Sequence, residues 1–340
     1  VAAPTSNGEV AEAAPAPNRT ASAEDLRLAL RAATLYYLDG LTQAEIAARL
    51  GVSRPTAGRL IARAKAHGLV RIEVAVPAGM RDDLHAEEER ELERRFGLTE
   101  AVVTGHGVDV GAPGRHTAFA SVGRAAAALL ARRLAPDDVL GFTWGPEQVA
   151  VATALTPGAA KCRAVVQLNG ATSTAAYQTG TEFILSRFSD ALHATAIRLP
   201  APLYADPSTV ASMHSDSLIS RTLDAGRRAD LMLFGVGAVS TSTTLFEGSF
   251  LDTGMLDELV SLGAVGEIGG RFFDADGVPV DTELQHRAVS VPLPDVRGCQ
   301  KTILISSGVT KYHATLGALR GTLARLLVCD IDCARWLLAQ

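Results

Sequence analysis

The sequence predicts an α/β chain: a small N-terminal helix-turn-helix unit, winged-helix-like, followed by a larger Rossmann-like unit on a mostly parallel sheet. Three observations predict it. Residues 41–60, LTQAEIAARLGVSRPTAGRL, carry paired helix caps around a glycine turn. From residue 100 short β-rich apolar runs alternate with helical runs, the pattern of βαβ units. The length of 340 residues suggests about two domains.

The N-terminal elements follow from local chemistry. Residues 22–39 offer Leu26, Leu28, Leu30, Ala33, Leu35 and Tyr36 as apolar faces and end at Gly40. Thr42 and Glu45 spell a capping box, and Ile46 and Leu50 share one helical face. Gly51 suits the left-handed residue that closes a helix, Ser53 caps the next one, and Pro55 falls in its first turn, where a missing N–H costs little. Gly58 is an interior cost of about 1 kcal/mol relative to Ala, and Ala57 is a small filler. The second helix runs to His67 and stops at Gly68. Leu69–Val76 then alternates with period two, a candidate wing strand. In a helix-turn-helix of this form Thr42, Gln43, Ser53, Arg54, Pro55, Thr56, Arg59 and Arg63 are placed to meet base edges and phosphates of operator DNA. Charge agrees: residues 41–72 hold six basic side chains (Arg49, Arg54, Arg59, Arg63, Lys65, Arg71) against the single acid Glu45, on a chain of net charge −5. A local basic patch on an acidic protein is the footprint of a nucleic-acid module.

Composition bounds the rest. With 47% hydrophobic and 20% charged residues, the chain has ordinary globular makeup. No apolar run approaches the ~18 residues of a membrane span. Residues 1–21 are Ala/Pro-rich without the basic and apolar regions of a secretory signal, and read as a disordered tail. Cys162, Cys299, Cys329 and Cys333 lie in apolar runs and read as buried small hydrophobes. With no disulfide framework the expected compartment is the reducing cytoplasm. The 8 histidines form no spaced metal set, and neither metal nor cofactor is expected. The helix-turn-helix domain is taken as 22–78. Residues 79–97, rich in Glu and Arg with a thin stripe of Leu84, Leu92 and Phe96, read as a solvated linker helix.

In the unit spanning 98–340 the candidate strands are Ala101–Thr104, Val139–Thr143, Ala164–Leu168, Ala194–Leu199, Asp230–Gly235, Thr302–Ser306 and Leu326–Cys329. Helices are expected over 116–133, 146–155, 208–226 and 310–320. Ligands of such sheets bind beyond the carboxyl ends of strands, so the loops after strands are the candidate site. Gly141-Phe-Thr-Trp-Gly145 places hydroxyl and glycine at a helix start. Gly235 and Gly237 open a hydroxyl-rich run to Thr244, suited to a polyhydroxylated ligand. Gly263–Gly270 sets Glu267 in a glycine-rich turn. Gly308 leads to Lys311, a cation at a helix start, where a base is electrostatically misplaced. Such a charge is expected to serve a ligand or a carboxylate, and Glu267 is the expected partner. An enzymatic reading would use Glu267 as base or nucleophile and Lys311 as a Schiff-base amine, yet no second carboxylate or histidine pairs recognisably with either. The chain therefore reads as a regulator and not an enzyme.

Together these stretches resemble the SorC/DeoR-type sugar-binding transcriptional regulators over about residues 27–338. The carrying motifs are Ala32–Leu60, Arg95-Phe-Gly-Leu98, Thr143-Trp-Gly145, Val166-Gln-Leu168, Leu199-Pro-Ala-Pro202, Gly263-Ala-Val-Gly266 with Arg271-Phe-Phe-Asp274, and Gly308–Lys311. The resemblance implies a C-terminal domain similar to the ribose-5-phosphate isomerase and glucosamine-6-phosphate deaminase fold. That domain would sense a sugar, often phosphorylated, and build a homo-oligomer, a dimer or commonly a tetramer. By motif position Thr143, Gln167, Glu267 and Lys311 would line the effector pocket, with Trp144, Gly145, Glu147, Gly235, Gly237 and Gly308 beside them. One departure is informative. Family members often read Trp-Gly-Arg-Thr where this chain has Trp144-Gly-Pro-Glu147, and a carboxylate disfavours phosphate. The expected effector is therefore an unphosphorylated sugar or sugar alcohol, and the expected targets are carbohydrate or polyol catabolism genes under repression. Pro-Thr-Ala-Gly at 55–58 also departs from the usual Pro-Thr-Val-Ser, which leaves the operator sequence open.

Overall fold

Thr42 begins the local order of the N-terminal unit. Its N–H donates to Glu45 Oε2 at 2.8 Å and its Oγ1 accepts the Glu45 N–H, so the capping box is formed. In a computed structural model of the chain the described residues are 23–72, 84–105, 119–171, 179–248 and 250–340. They fall in two compact units, divided between Ala75 and Val76. The first holds α1 (Ala23–Tyr37), α2 (Gln43–Leu50) and α3 (Arg54–Ala66). Gly51 closes α2 in the left-handed conformation, and Ser53 Oγ caps α3 by accepting the Thr56 N–H. A small core of Ala29, Ala32, Leu35, Ile46, Ala57, Leu60 and Ala64 joins the three helices. Ala57 is fully buried, so its small size sets a close crossing. The expected wing is not a strand over Leu69–Ile72, and its remainder, like the whole 1–21 tail, lies outside the described residues.

The second unit is built on a seven-stranded, wholly parallel sheet. Its strands in chain order are β1 (Glu100–Thr104), β2 (Val139–Phe142), β3 (Ala164–Gln167), β4 (Thr195–Ile197) and β5 (Leu231–Gly235), then β9 (Lys301–Ser306) and β10 (Leu326–Asp330). Their order across the sheet is β1-β10-β9-β5-β2-β3-β4. All seven expected strands are present, with bounds shifted by one or two residues. Their side chains alternate between two cores. Val166, Met232, Phe234, Leu304 and Cys329 face one, whereas Phe142, Val165, Leu233, Ile305 and Val328 face the other. The helices are α4 (Ala86–Phe96), α5 (Ala120–Arg133), α6 (Pro146–Ala154), α7 (Thr181–Leu192), α8 (Pro207–Ser215), α9 (Ser217–Arg227), α10 (Thr253–Ser261), α11 (Tyr312–Arg320) and α12 (Ile331–Ala339), with shorter turns between them.

Three features differ from the sequence reading. The expected helix over 208–226 is two helices, because Asp216 leaves the helical conformation and caps α9 through the Leu218 and Ile219 N–H groups. Gly263–Gly270 is not a turn but most of a hairpin. Ala264–Ile268 (β7) pairs antiparallel with Arg271–Asp274 (β8) and with Gly237–Ala238 (β6), and Gly269-Gly270, both at positive φ, make the two-residue connection. Glycines hide the alternation that would have marked β7. Finally, α4 does not behave as a solvated linker. Leu92 is fully buried, and Glu93 and Glu89 accept the Ala101 and Val103 N–H groups of β1 at 3.0 and 2.9 Å. The acids that suggested solvent cover the donors of an edge strand.

Candidate functional site

On the first unit α3 presents the expected contact residues. Ser53, Arg54, Pro55, Arg59 and Arg63 are exposed, and Thr56 is half-buried. Thr56 Oγ1 is held by Ser53 Oγ at 2.8 Å and accepts from Arg59 Nη2 at 3.2 Å, so the N-terminal turn is a preset hydroxyl–guanidinium cluster. Gln43 lies against α3. A Cβ on Gly58 would sit 3.3 Å from its Oε1, which gives Gly58 a packing role that offsets its helix cost. Arg63 reaches Asp25 at 3.8 Å, both about half exposed, a pair of small energetic weight.

In the second unit a cavity of ≈ 1000 Å³ opens at the carboxyl ends of β2, β3, β5 and β9, where open parallel sheets bind ligands. Thr143, Trp144, Gly145, Glu147, Gly235, Gly237, Glu267 and Lys311 line it. The hydroxyls of Ser242, Thr243 and Thr244 line it as well. Two expected residues do not. Gln167 is buried, its Nε2 donating to Asn169 O at 2.7 Å and its Oε1 accepting the Leu199 N–H at 3.3 Å, so both ends serve the backbone. Gly308 lies behind the wall and donates its N–H to Asp330 Oδ2 at 3.0 Å.

The electrostatic pairing also differs from expectation. Lys311 contacts Glu147, not Glu267. Glu147 lies in the first turn of α6 and its side chain is 2% exposed, against 18% for Lys311. Burial pulls the Lys311 pKa down to about 8, while the adjoining carboxylate favours the charged form. The Phe119 ring centroid lies 5.7 Å from the ammonium. Glu267 stands apart on β7. Its Oε2 accepts the Gly270 N–H at 2.7 Å, and burial raises its carboxyl to about 7. A Cβ on Gly237 would fall 2.2 Å from Glu267 Oε1, so a larger residue there would displace the carboxylate. Tyr204 donates to Gly270 O at 2.8 Å. Arg271 anchors the hairpin by donating to the Gln285, Ala288 and Ser290 carbonyls.

Sequence reasoning missed Gln148, Asn169 and Asp330. Gln148 and Asn169 line the cavity and are 1% and 2% exposed. Asp330, at the end of β10, is fully interior. Its Oδ2 accepts from Ser307 Oγ at 2.7 Å and from Gly308 N, and its Oδ1 accepts the Cys333 N–H that starts α12. Asp330 thereby holds the loop that delivers Lys311. Only the strand–helix pattern around these residues was readable, not their partners.

A helix-turn-helix unit with an exposed basic helix, in one chain with a unit that holds a ligand-sized cavity, defines the class of ligand-sensing transcription regulators. Comparison with known proteins gives the family. A family model described as "Putative sugar-binding domain" matches residues 83–339, and a MarR family model matches 32–79. The Deoxyribonucleoside regulator of Bacillus subtilis is 32% identical, with 92% of this chain and 97% of that protein covered. The Sorbitol operon regulator of Klebsiella pneumoniae is 29% identical over 93% of this chain and 99% of the relative. The crystal structure of the full-length SorC regulator from the same organism superposes with a TM-score of 0.65 at 26% identity, covering 93% of this chain and all (100%) of that one. The chain belongs to the SorC/DeoR-type family of sugar-binding transcriptional regulators.

Proposed function

We propose that this regulator represses carbohydrate or polyol catabolism genes and that its effector is an unphosphorylated sugar or sugar alcohol. One observation carries the reading: Lys311, the buried cation among the lining residues, is already neutralised from within, while the other lining cation, Arg124, is exposed. Lys311 is engaged by Glu147, a buried carboxylate four residues after Thr143. A phosphate dianion at Lys311 would have to share the site with that carboxylate. Like charges ~4 Å apart repel by a few kcal/mol at an effective dielectric near 20. A neutral polyhydroxy compound meets no such penalty and finds hydroxyl and amide partners around the wall. The related regulators are named for a sugar alcohol operon and for deoxyribonucleosides, and both names concern small hydroxylated compounds or their derivatives. Effector binding shifts the chain between operator-competent and other states by as much as its differential affinity allows. The effector pocket has no role in turnover here, and the helix-turn-helix is the output.

Thermal unfolding of the full chain tests this with matched pairs, sorbitol beside sorbitol 6-phosphate and 2-deoxyribose beside its 5-phosphate. A native-state ligand at a hundredfold excess over Kd stabilises by about 2.7 kcal/mol. Stabilisation by the free compound alone is the expected result. Stabilisation by the phosphate alone would overturn the neutral-effector reading.

A further inference from the structure

The cavity holds two buried amides that the family motifs did not single out. Among the described residues Gln148 Nε2 and Asn169 Oδ1 have no hydrogen-bond partner. Buried polar atoms are nearly always satisfied, and each exception calls for a reason. Of the seven such side-chain atoms among the described residues, these two belong to residues that line the cavity. Gln148 follows Glu147 on α6, and its head group lies under two glycines. A Cβ on Gly145 would be 2.9 Å from its Oε1, and one on Gly235 would be 3.5 Å from its Nε2. Asn169 follows β3 at an isolated bridge to Ser290, and its Cβ lies against Gly269. One amide therefore sits at the Lys311–Glu147 end of the cavity. The other sits beneath the β7–β8 connection near Thr143.

We propose that Gln148 and Asn169 are the specificity-determining contacts for hydroxyl groups of a neutral polyhydroxy effector. The proposal rests on the neutral-effector reading above. The unpaired atoms are the Gln148 amide nitrogen and the Asn169 amide oxygen; a terminal amide carries both a donor and an acceptor, and turning it about its last bond exchanges the two, so each residue can donate to or accept from a ligand. A hydroxyl does both and carries no charge. A phosphate dianion or carboxylate can take only the N–H groups of the two amides, leaves their oxygens without a donor, and would also confront Glu147. An ammonium can donate to the amide oxygens but leaves their N–H groups without an acceptor. A polyol or free sugar satisfies both amides at once, and a compound without hydroxyls leaves them buried and unpaired. Sites built to hydrogen-bond a hydroxyl reject the analogue that lacks it far more strongly than apolar pockets reject a size change.

The test uses the full chain and the shape-conserving variants Gln148→Met and Asn169→Leu, titrated calorimetrically with erythritol, xylitol, sorbitol and 2-deoxyribose. The tightest of these is expected to lose about tenfold or more in affinity in each variant. The ligand-free melting temperature is expected to hold or rise, because an unpaired buried polar group has been replaced by an apolar one. Affinity within about twofold of the parent in both variants overturns the assignment. So does a ligand-free melting temperature several degrees lower in both, which would mark the amides as structural. If only phosphorylated probes bind, the neutral-effector reading fails, and the same variants titrated with that probe decide the contacts separately: a tenfold fall upholds them and no change overturns them. No response to any free or phosphorylated probe overturns both.

Discussion

Two of the acids that line the cavity stand under different constraints. Glu147 is set against a lysine, whereas Glu267 has one backbone donor and a desolvated site. Removing one member of the buried pair leaves the other charge uncompensated, so Lys311→Met is expected to cost about 3–5 kcal/mol in denaturant unfolding. The double variant Glu147→Gln with Lys311→Met should be markedly less destabilised than the single one, since no buried charge remains. Glu267 makes a pH prediction. Its carboxyl is raised from 4.5 to about 7, so between those values the folded chain keeps a proton that the unfolded chain has lost. Stability contributed at this position therefore falls as pH rises across that window and is level above it. Glu267→Gln should melt close to the parent at pH 4.5 and a few degrees higher at pH 8. Equal parent–variant differences at both pH values would count against the burial argument. Neither pairing was legible in the sequence. Lys311 and Glu147 are 164 residues apart, and nothing local in either segment names the other.

At the scale of elements the main sheet was legible because its strands are short, apolar and flanked by helices. What remained hidden had physical causes. The β6–β8 sheet is glycine-rich, so Gly266, Gly269 and Gly270 erase the alternation. The α4 charges look solvated, yet two of them are bonded to β1. Asp330 looks like an ordinary strand-end acid, yet it accepts from three donors and joins the Lys311 loop to α12. Asp330→Ala removes a helix cap together with buried hydrogen bonds, for which we expect a loss of about 2–4 kcal/mol. A second measurement separates its positioning role. Asp330→Asn, which keeps an acceptor, should restore most of the stability but still weaken effector binding if the 307–311 loop is displaced. On α3, Gly58→Ala should stabilise by less than the ~1 kcal/mol that helix propensity alone offers, because the new methyl must move Gln43. A gain of the full amount would show that this contact has no weight.

At the scale of the molecule, each unit has its own core. Thermal unfolding of the full chain is expected to show two transitions, of which effector moves only the one belonging to 76–340. Operator binding should fall with rising salt, and Arg54→Ala or Arg59→Ala should reduce both the affinity and the steepness of that dependence. A mobility-shift series at several salt concentrations reads both. Of the four cysteines, none is in a disulfide, and all are buried.

The internal counter-ion at Lys311 has a consequence for timing. A regulator that answers to a phosphorylated compound responds only after a kinase or phosphotransfer step has acted, and so reports flux through a pathway already running. With Glu147 occupying the place an anion would take, this chain would respond to the compound as it arrives, before any phosphoryl donor is consumed. On the proposed neutral effector, its signal would measure supply and not throughput. A single carboxylate at the start of one helix would thereby decide whether the genes answer to the arrival of a nutrient or to the progress of its breakdown.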